Sequence, residues 1–375
     1  MANWIANDFL SFISALVLAG IIIPQILLIA FRKNLFDEIN TRKIHNGIVP
    51  RLGGIAFFPS IVFSLAFVIG LNLKFFGSGL SSYFANYMVP VYFMICAVML
   101  MYLVGISDDL IGVKYIAKFL IQILASILII LSGNYVENLF GFIYLHTLPI
   151  WLVWIITSFA VVYIVNSINL IDGIDGLASG LSTVAFVFYA IVFFEYDEYV
   201  YSMIASASAG TLLPFFYYNV FGNAGKQKKI FMGDTGALTT GMILVFLAIS
   251  MLHIDERILN TDYNPVILAL SPLIIPCFDV VRVYLHRVIR RRNPFLPDKC
   301  HIHHKLLALG LNQRMALCVI MLWAIFFIVI NILLSPFMNP TWIIVGDIVV
   351  YTIVNVAITK GILCRERKIG EKIYS

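Results

Sequence analysis

The sequence predicts an all-α, polytopic integral membrane protein of about eleven transmembrane helices, with the N-terminus outside and the C-terminus cytoplasmic. Composition, the recurrence of long apolar runs and the placement of lysine and arginine carry that expectation. Of 375 residues, 61% are hydrophobic and only 12% charged, with a mean hydropathy of +0.96. A soluble domain carries roughly twice that share of charge. The apolar runs recur near the roughly 20 residues that a helix needs to cross a bilayer. One membrane-embedded domain over residues 1–375 is therefore expected, rather than two or three soluble domains.

Taken in order, runs bounded by charge, Pro or Gly lie near 9–31, 52–72, 89–107, 115–132, 149–165, 178–194, 199–219, 237–254, 264–285, 315–335 and 341–359. The first, Phe9 to Phe31, is longer than a signal-peptide core and has no basic stretch before it, so it reads as a retained span. The connections 32–51, 108–118, 166–177, 220–236, 286–314 and 360–375 alternate with short acidic or neutral ones such as Glu195, Asp197 and Glu198 or Asp255 and Glu256. Of the 25 lysines and arginines, all but Lys74 and Arg257 fall in or at the edge of the first set. That bias places those loops inside, and with them any chemistry. Cys96, Cys277, Cys300, Cys318 and Cys364 form no CxxC pair and read as inert thiols.

Carboxylates, glycines and histidines also gather in the inner connections, which charge topology does not require. In GISDDLIGVKYIAKF, Asp108 and Asp109 end the third run, with Lys114 and Lys118 following. A solvated helix end would explain an acidic pair alone, but adjacent carboxylates repel unless a cation or phosphate-bearing partner uses them. In NSINLIDGIDGLASG, Asn166, Asn169, Asp172 and Asp175 recur every third residue. They would stack on a 3₁₀ turn or fan over half of an α-helix. Asx turns explain one such residue, not four in register. FMGDTGALTTG sets Asp234 between Gly233 and Gly236, behind Lys226, Lys228 and Lys229. It could be a helix N-cap, or one of several hard oxygen ligands suited to Mg²⁺ or Mn²⁺. RRRNPFLPDKCHIHHKL carries Arg290 to Arg292 and then His301, His303 and His304. Zinc is the tempting ligand, but no fourth ligand stands at metalloprotease spacing, and imidazoles beside arginines suit phosphate oxygens. TRKIHNGIVPRLGG, with Lys43, His45 and Arg51, reads first as a positive-inside anchor.

These five stretches, in this order, resemble the polyprenyl-phosphate N-acetylhexosamine-1-phosphate transferases over about residues 32–310. HIHH looks like the UDP-GlcNAc:undecaprenyl-phosphate branch rather than the phospho-MurNAc-pentapeptide branch. The resemblance implies transfer of N-acetylhexosamine 1-phosphate, most simply GlcNAc-1-phosphate, from a UDP-sugar to undecaprenyl phosphate, releasing UMP and starting envelope polysaccharide synthesis. It implies a bacterial inner-membrane enzyme whose site faces the cytoplasm, with no nucleic-acid partner and with a homodimer left open. Carried over by residue, Asp108, Asp109 and Asp172 would be catalytic. Asp234 with Asn166 would hold Mg²⁺, Mn²⁺ being an alternative. Asn169, Asp175, Lys118, His45, Arg51, His301, His303 and His304 would contact substrate. One departure is Ser167, where the family often has Ala.

A lipid phosphate with a second pKa near 6 is already mostly dianionic at pH 7, so direct attack needs little general-base help. The competing class is a transporter, which would place charge at mid-span, where Asp279, Arg282 and Asp347 are the candidates, and would show two similar halves. No internal repeat is visible. An inactive lipid-binding scaffold would tolerate substitution of Asp172 or Asp234.

Overall fold

The computed structural model describes residues 4–35, 49–76, 78–254, 263–291, 293 and 300–370. The chain forms α1 (Trp4–Lys33), α2 (Phe57–Phe76), α3 (Ser78–Ile111), α4 (Tyr115–Leu131), α5 (Ile150–Ile171), α6 (Leu177–Glu195) and α7 (Tyr199–Val220). It continues as α8 (Gly233–Ser250), α9 (Pro265–Leu270), α10 (Ile274–Ile289), α11 (Ile302–Leu309), α12 (Gln313–Leu334) and α13 (Pro340–Ile369). Every apolar run read from the sequence is helical. Among the described residues, nine helical segments are long and apolar enough to cross a membrane, which makes this a multi-pass membrane protein.

Two of the expected spans stand outside those nine. α4 has only 17 residues. α7 has 22 but is rich in small and polar residues, and two of its buried hydroxyls turn back onto their own helix, Ser208 to the Ile204 carbonyl and Thr211 to the Ala207 carbonyl. Satisfied in this way, they can be buried between neighbouring helices without an orphan donor. The run at 264–285 is broken into α9, a 3₁₀ turn over Ser271–Leu273 and α10. Pro272 and Pro276 remove backbone donors there, which explains the break.

α8 is the axis of the bundle: every residue from Thr235 to Ser250 is buried. α3 and α5 pack along it, while α1, α6 and α7 form the adjoining layer. A helix apolar all round belongs at such a centre. The connections sort to the two ends of the bundle. At one end, the Asn264 amide N–H donates to Ser335 Oγ at 2.8 Å, its side chain to the Phe140 carbonyl at 2.8 Å, and Ile143 N–H to Thr341 Oγ1 at 2.7 Å. Tyr87 donates to Glu198 at this end as well, at 2.7 Å. At the other end, residues 50–53 hydrogen-bond the strand-like stretch before α8: Phe231 N–H to the Pro50 carbonyl at 2.9 Å and Gly53 N–H to the Phe231 carbonyl at 3.0 Å. This second end holds the acidic and histidine clusters.

Candidate active site

Asp109 organises the entry to α8. Standing in the last turn of α3, it accepts hydrogen bonds from Asp234 N–H at 2.8 Å, Thr235 N–H at 2.9 Å and Thr235 Oγ1 at 2.6 Å. It thus caps a helix 125 residues away, where the backbone N–H groups would otherwise be orphaned and the helix dipole favours an anion. Gly233 makes this possible, with φ +70° and a position where an added Cβ would fall 2.2 Å from the Arg51 carbonyl and 2.5 Å from Asp109 Oδ2. Asp234 is thereby fixed. Lys118 from α4 reaches both Asp234 and Asp108, the latter at 2.6 Å, and Asp108 also accepts from Val113 N–H at 2.7 Å.

The run from Asn166 to Asp175 follows neither regular geometry throughout. α5 remains α-helical to Ile171, Asp172 is its C-cap and Asp175 lies in the turn before α6. Three residues along an α-helix turn a side chain by about 60° from its predecessor. Asn166 and Asn169 therefore diverge. Asn169 donates to Asp234 at 3.5 Å, whereas Asn166 is occupied by Gln122 at 2.8 Å and by the Val162 carbonyl at 2.7 Å. The amide beside Asp234 is Asn169, not the Asn166 expected from the resemblance. Asp172 is exposed, yet protein crowds about it, and this crowding, with Asp175 and Asp234 next in effect and Arg51 opposing, pushes its carboxyl up to about 7. Asp175 pairs with Lys229 at 2.6 Å beside a cavity of about 450 Å³ that Gly222, Asn312 and Arg314 also line.

The histidine stretch docks onto the same turn. An added Cβ on Gly173 would fall 2.0 Å from His303 Nε2, so the imidazole occupies the space that glycine leaves. His303 is 1% exposed, and among the described residues neither ring nitrogen has a hydrogen-bond partner. Burial holds it neutral, its pKa lowered to about 3, with the neighbouring His304 adding to the effect. In this state the ring carries no charge of its own. A neutral ring can still donate one hydrogen bond and accept another. The His304 ring lies 4.3 Å from that of His303, and His301 Nδ1 lies 2.8 Å from Asp279 Oδ2. His45, Lys43 and Arg292 lie outside the described residues.

The described candidates Asp108, Asp109, Asp172, Asp175, Asp234, Asn169, Lys118, Arg51 and His303 thus lie in contact with, or next to, one cluster of carboxylates at one end of the bundle; His301 and His304 adjoin it through the His303 ring, and Asn166 stands apart. Gln122, Asn219 and Thr235 also take part, with types and neighbours that carried no signal to single them out, as does Lys229 from the basic stretch noted before Asp234. Among the described residues, no three acidic, cysteine or histidine side chains close around a single point as metal ligands would.

Residues 91–252, from α3 to the end of α8, match the pattern of Glycosyl transferase family 4. The undecaprenyl-phosphate alpha-N-acetylglucosaminyl 1-phosphate transferase of Pasteurella multocida is 31% identical over 336 residues, covering 89% of this chain and 88% of its own length. The chain belongs to this glycosyl transferase family. Proteins of the same name from Yersinia pestis and Escherichia coli K12 are each 27% identical, over 81% and 84% of this chain and 78% and 81% of their own lengths. The family 4 match contains Asp108, Asp109, Asp172, Asp175 and Asp234, while HIHH lies beyond it.

Proposed function

We propose that this family 4 transferase moves N-acetylglucosamine 1-phosphate from UDP-N-acetylglucosamine to undecaprenyl phosphate, releasing UMP, at the cytoplasmic face of the bacterial inner membrane. The observation that carries the reading is the meeting of Asp108, Asp109, Asp172, Asp175 and Asp234 with Lys118 and Lys229 at one end of a membrane bundle. Relatives with that activity in their names share most of the chain's length. The charge bias of the loops, which leaves only Lys74 and Arg257 on the other side, supports the inward orientation.

In this reading, a lipid-phosphate oxygen attacks the β-phosphorus of the UDP-sugar. The new P–O bond forms as the bond to the UMP oxygen breaks, and one phosphoanhydride replaces another. The lipid dianion needs little deprotonation, so the protein's main tasks are to bring two anions together and to orient them for in-line displacement. Lys118 supplies a positive charge between Asp108 and Asp234, and Lys229 does so at Asp175. Asp109 acts through α8: it holds the Gly233–Thr235 backbone and so places Asp234. His303, whose ring nitrogens have no hydrogen-bond partner among the described residues, would hydrogen-bond the bound nucleotide sugar.

The all-oxygen donor set and the excess of carboxylates over cations fit a hard divalent ion, which Asp234, Asn169 and Asp172 would hold. Mg²⁺ bound there would neutralise charge developing on the diphosphate and on departing UMP. The test is UMP release by the purified full chain, with undecaprenyl phosphate and each of several UDP-sugars. Release should require UDP-N-acetylglucosamine and lipid together. Equal turnover of UDP-MurNAc-pentapeptide would move the protein to the other branch, and UMP release without lipid would replace direct transfer by a covalent route.

A further inference from the structure

Asp279 is one of two carboxylates, with Asp347, that the sequence places at mid-span with no evident use. It is 0% exposed on α10, and a buried charge is costly unless paired and hydrogen-bonded. Here it is held from three segments. Arg282 Nη2 donates to Oδ1 at 2.7 Å, Tyr351 from α13 donates at 3.1 Å and Ile302 N–H at 3.1 Å. His301 Nδ1 completes the set at 2.8 Å from Oδ2. Arg282 also donates to the Cys300 carbonyl at 2.6 Å, so the residues just before α11 are tied to the same ion pair.

A carboxylate paired with arginine only accepts hydrogen bonds, which requires His301 to carry its proton on Nδ1. Nε2 then stands on the far side of the ring from Asp279. The His301 ring lies nearly parallel to that of His303, 5.7 Å away at 9°, and His303 fills the space over Gly173 beside Asp172. A merely structural cap for α11 would not need this arrangement, because an Asn or Ser at the N-cap position would serve. That position is instead His301, which makes no capping hydrogen bond of its own.

We infer that Asp279 is a positioning residue for transfer: it clamps His301 through Nδ1, so that the stacked histidine pair is fixed against the Asp172–Asp175 turn and His301 Nε2 is presented to the diphosphate of the nucleotide sugar. This rests on the proposed transferase reading and deepens it. The pairing follows the general pattern in which a carboxylate orients an imidazole that acts elsewhere, and loss of such a partner commonly costs about 10- to 100-fold in activity.

The test compares kcat and KM for UDP-N-acetylglucosamine in the purified full chain and in Asp279→Asn, His301→Asn and the double variant, with melting temperature followed in parallel. The Asn side chain in His301→Asn can still donate to Asp279 where Nδ1 did, but it has nothing in place of Nε2. Both single variants should lose about 10- to 100-fold in kcat, with KM changed by less than about threefold and the His301→Asn melting temperature unchanged. The double variant should be no worse than the singles, because both changes remove one function. Wild-type kcat in His301→Asn, or losses that multiply in the double variant, would overturn the inference. If Asp279→Asn does not fold, His301→Asn alone decides. A wild-type chain that releases no UMP overturns the transferase reading itself, whereas wild-type activity with unaffected variants overturns only the role of Asp279.

Discussion

At the scale of single residues, the acidic side chains divide into those that hold the protein and those left to hold something else. Asp109 spends both oxygens on the start of α8. Asp109→Asn should therefore destabilise the folded chain by about 0.5–2 kcal/mol, the usual range for losing a helix cap, and a melting curve in detergent would register it. Asp234→Asn should instead leave the melting curve close to wild type and abolish most turnover, more than Asp108→Asn does. Added Mg²⁺ should restore part of the lost activity if ligation is its role, and an Asp234→Asn chain with wild-type UMP release would refute the assignment. Gly173→Ala should drive the His303 ring from its place and lower UMP release severalfold without preventing membrane insertion. Wild-type activity in that variant would mean that the close fit is incidental. The acidic motifs were legible because carboxylates, asparagines and glycines at an apolar boundary have few other uses. The difference between Asn166 and Asn169 was not, because both lie within helical α5 and only packing decides that one meets Gln122 and the other Asp234.

At the scale of elements, α11 is held to α13 by two cations. Lys305 reaches Thr359 at 3.1 Å and Asn355 at 3.4 Å, and Arg365 donates to the Ala308 carbonyl at 2.8 Å. Burial lowers the Lys305 pKa to about 8, and the positive Arg282 nearby adds to this, against the opposing pull of Asp279 and Cys300. A lysine with a lower pKa folded than unfolded binds fewer protons in the folded state across the intervening range, so stability should rise with pH from about 8 to about 10. The slope should be smaller in Lys305→Met, and an unchanged slope in a pH series of melting temperatures would contradict this. The helices themselves were legible from apolar length, including the weakly apolar α7. The break between α9 and α10 was not marked, although Pro272 and Pro276 announce it. The link from Asp279 to His301 had no sequence signal at all, since it joins positions on either side of a loop and serves no local periodicity.

For the whole molecule, the alternation of connections between the two ends matches the alternation of charge in the sequence, and this is what made the site legible as one place rather than five motifs. A cysteine at Glu137 in a cysteine-free background should react with an impermeant thiol reagent added to intact cells, and one at Lys226 should react only after permeabilisation. The reverse would turn the site outward. The cap of Asp109 on α8 also sets a schedule for biogenesis. The partners lie 125 residues apart, and at a synthesis rate of roughly 5–20 residues per second the ribosome needs on the order of 10 s to deliver the second after the first. Through that interval Asp109 waits without the backbone it caps, while Asp108 beside it already has Val113 and Lys118 at hand, and an unpaired carboxylate is tolerable only where water can reach it. A nascent chain halted before α8 should therefore expose Asp109 to the aqueous phase, and the acidic part of the site should come into being late, as α8 enters between α3 and α5, with the histidine stretch docking afterwards.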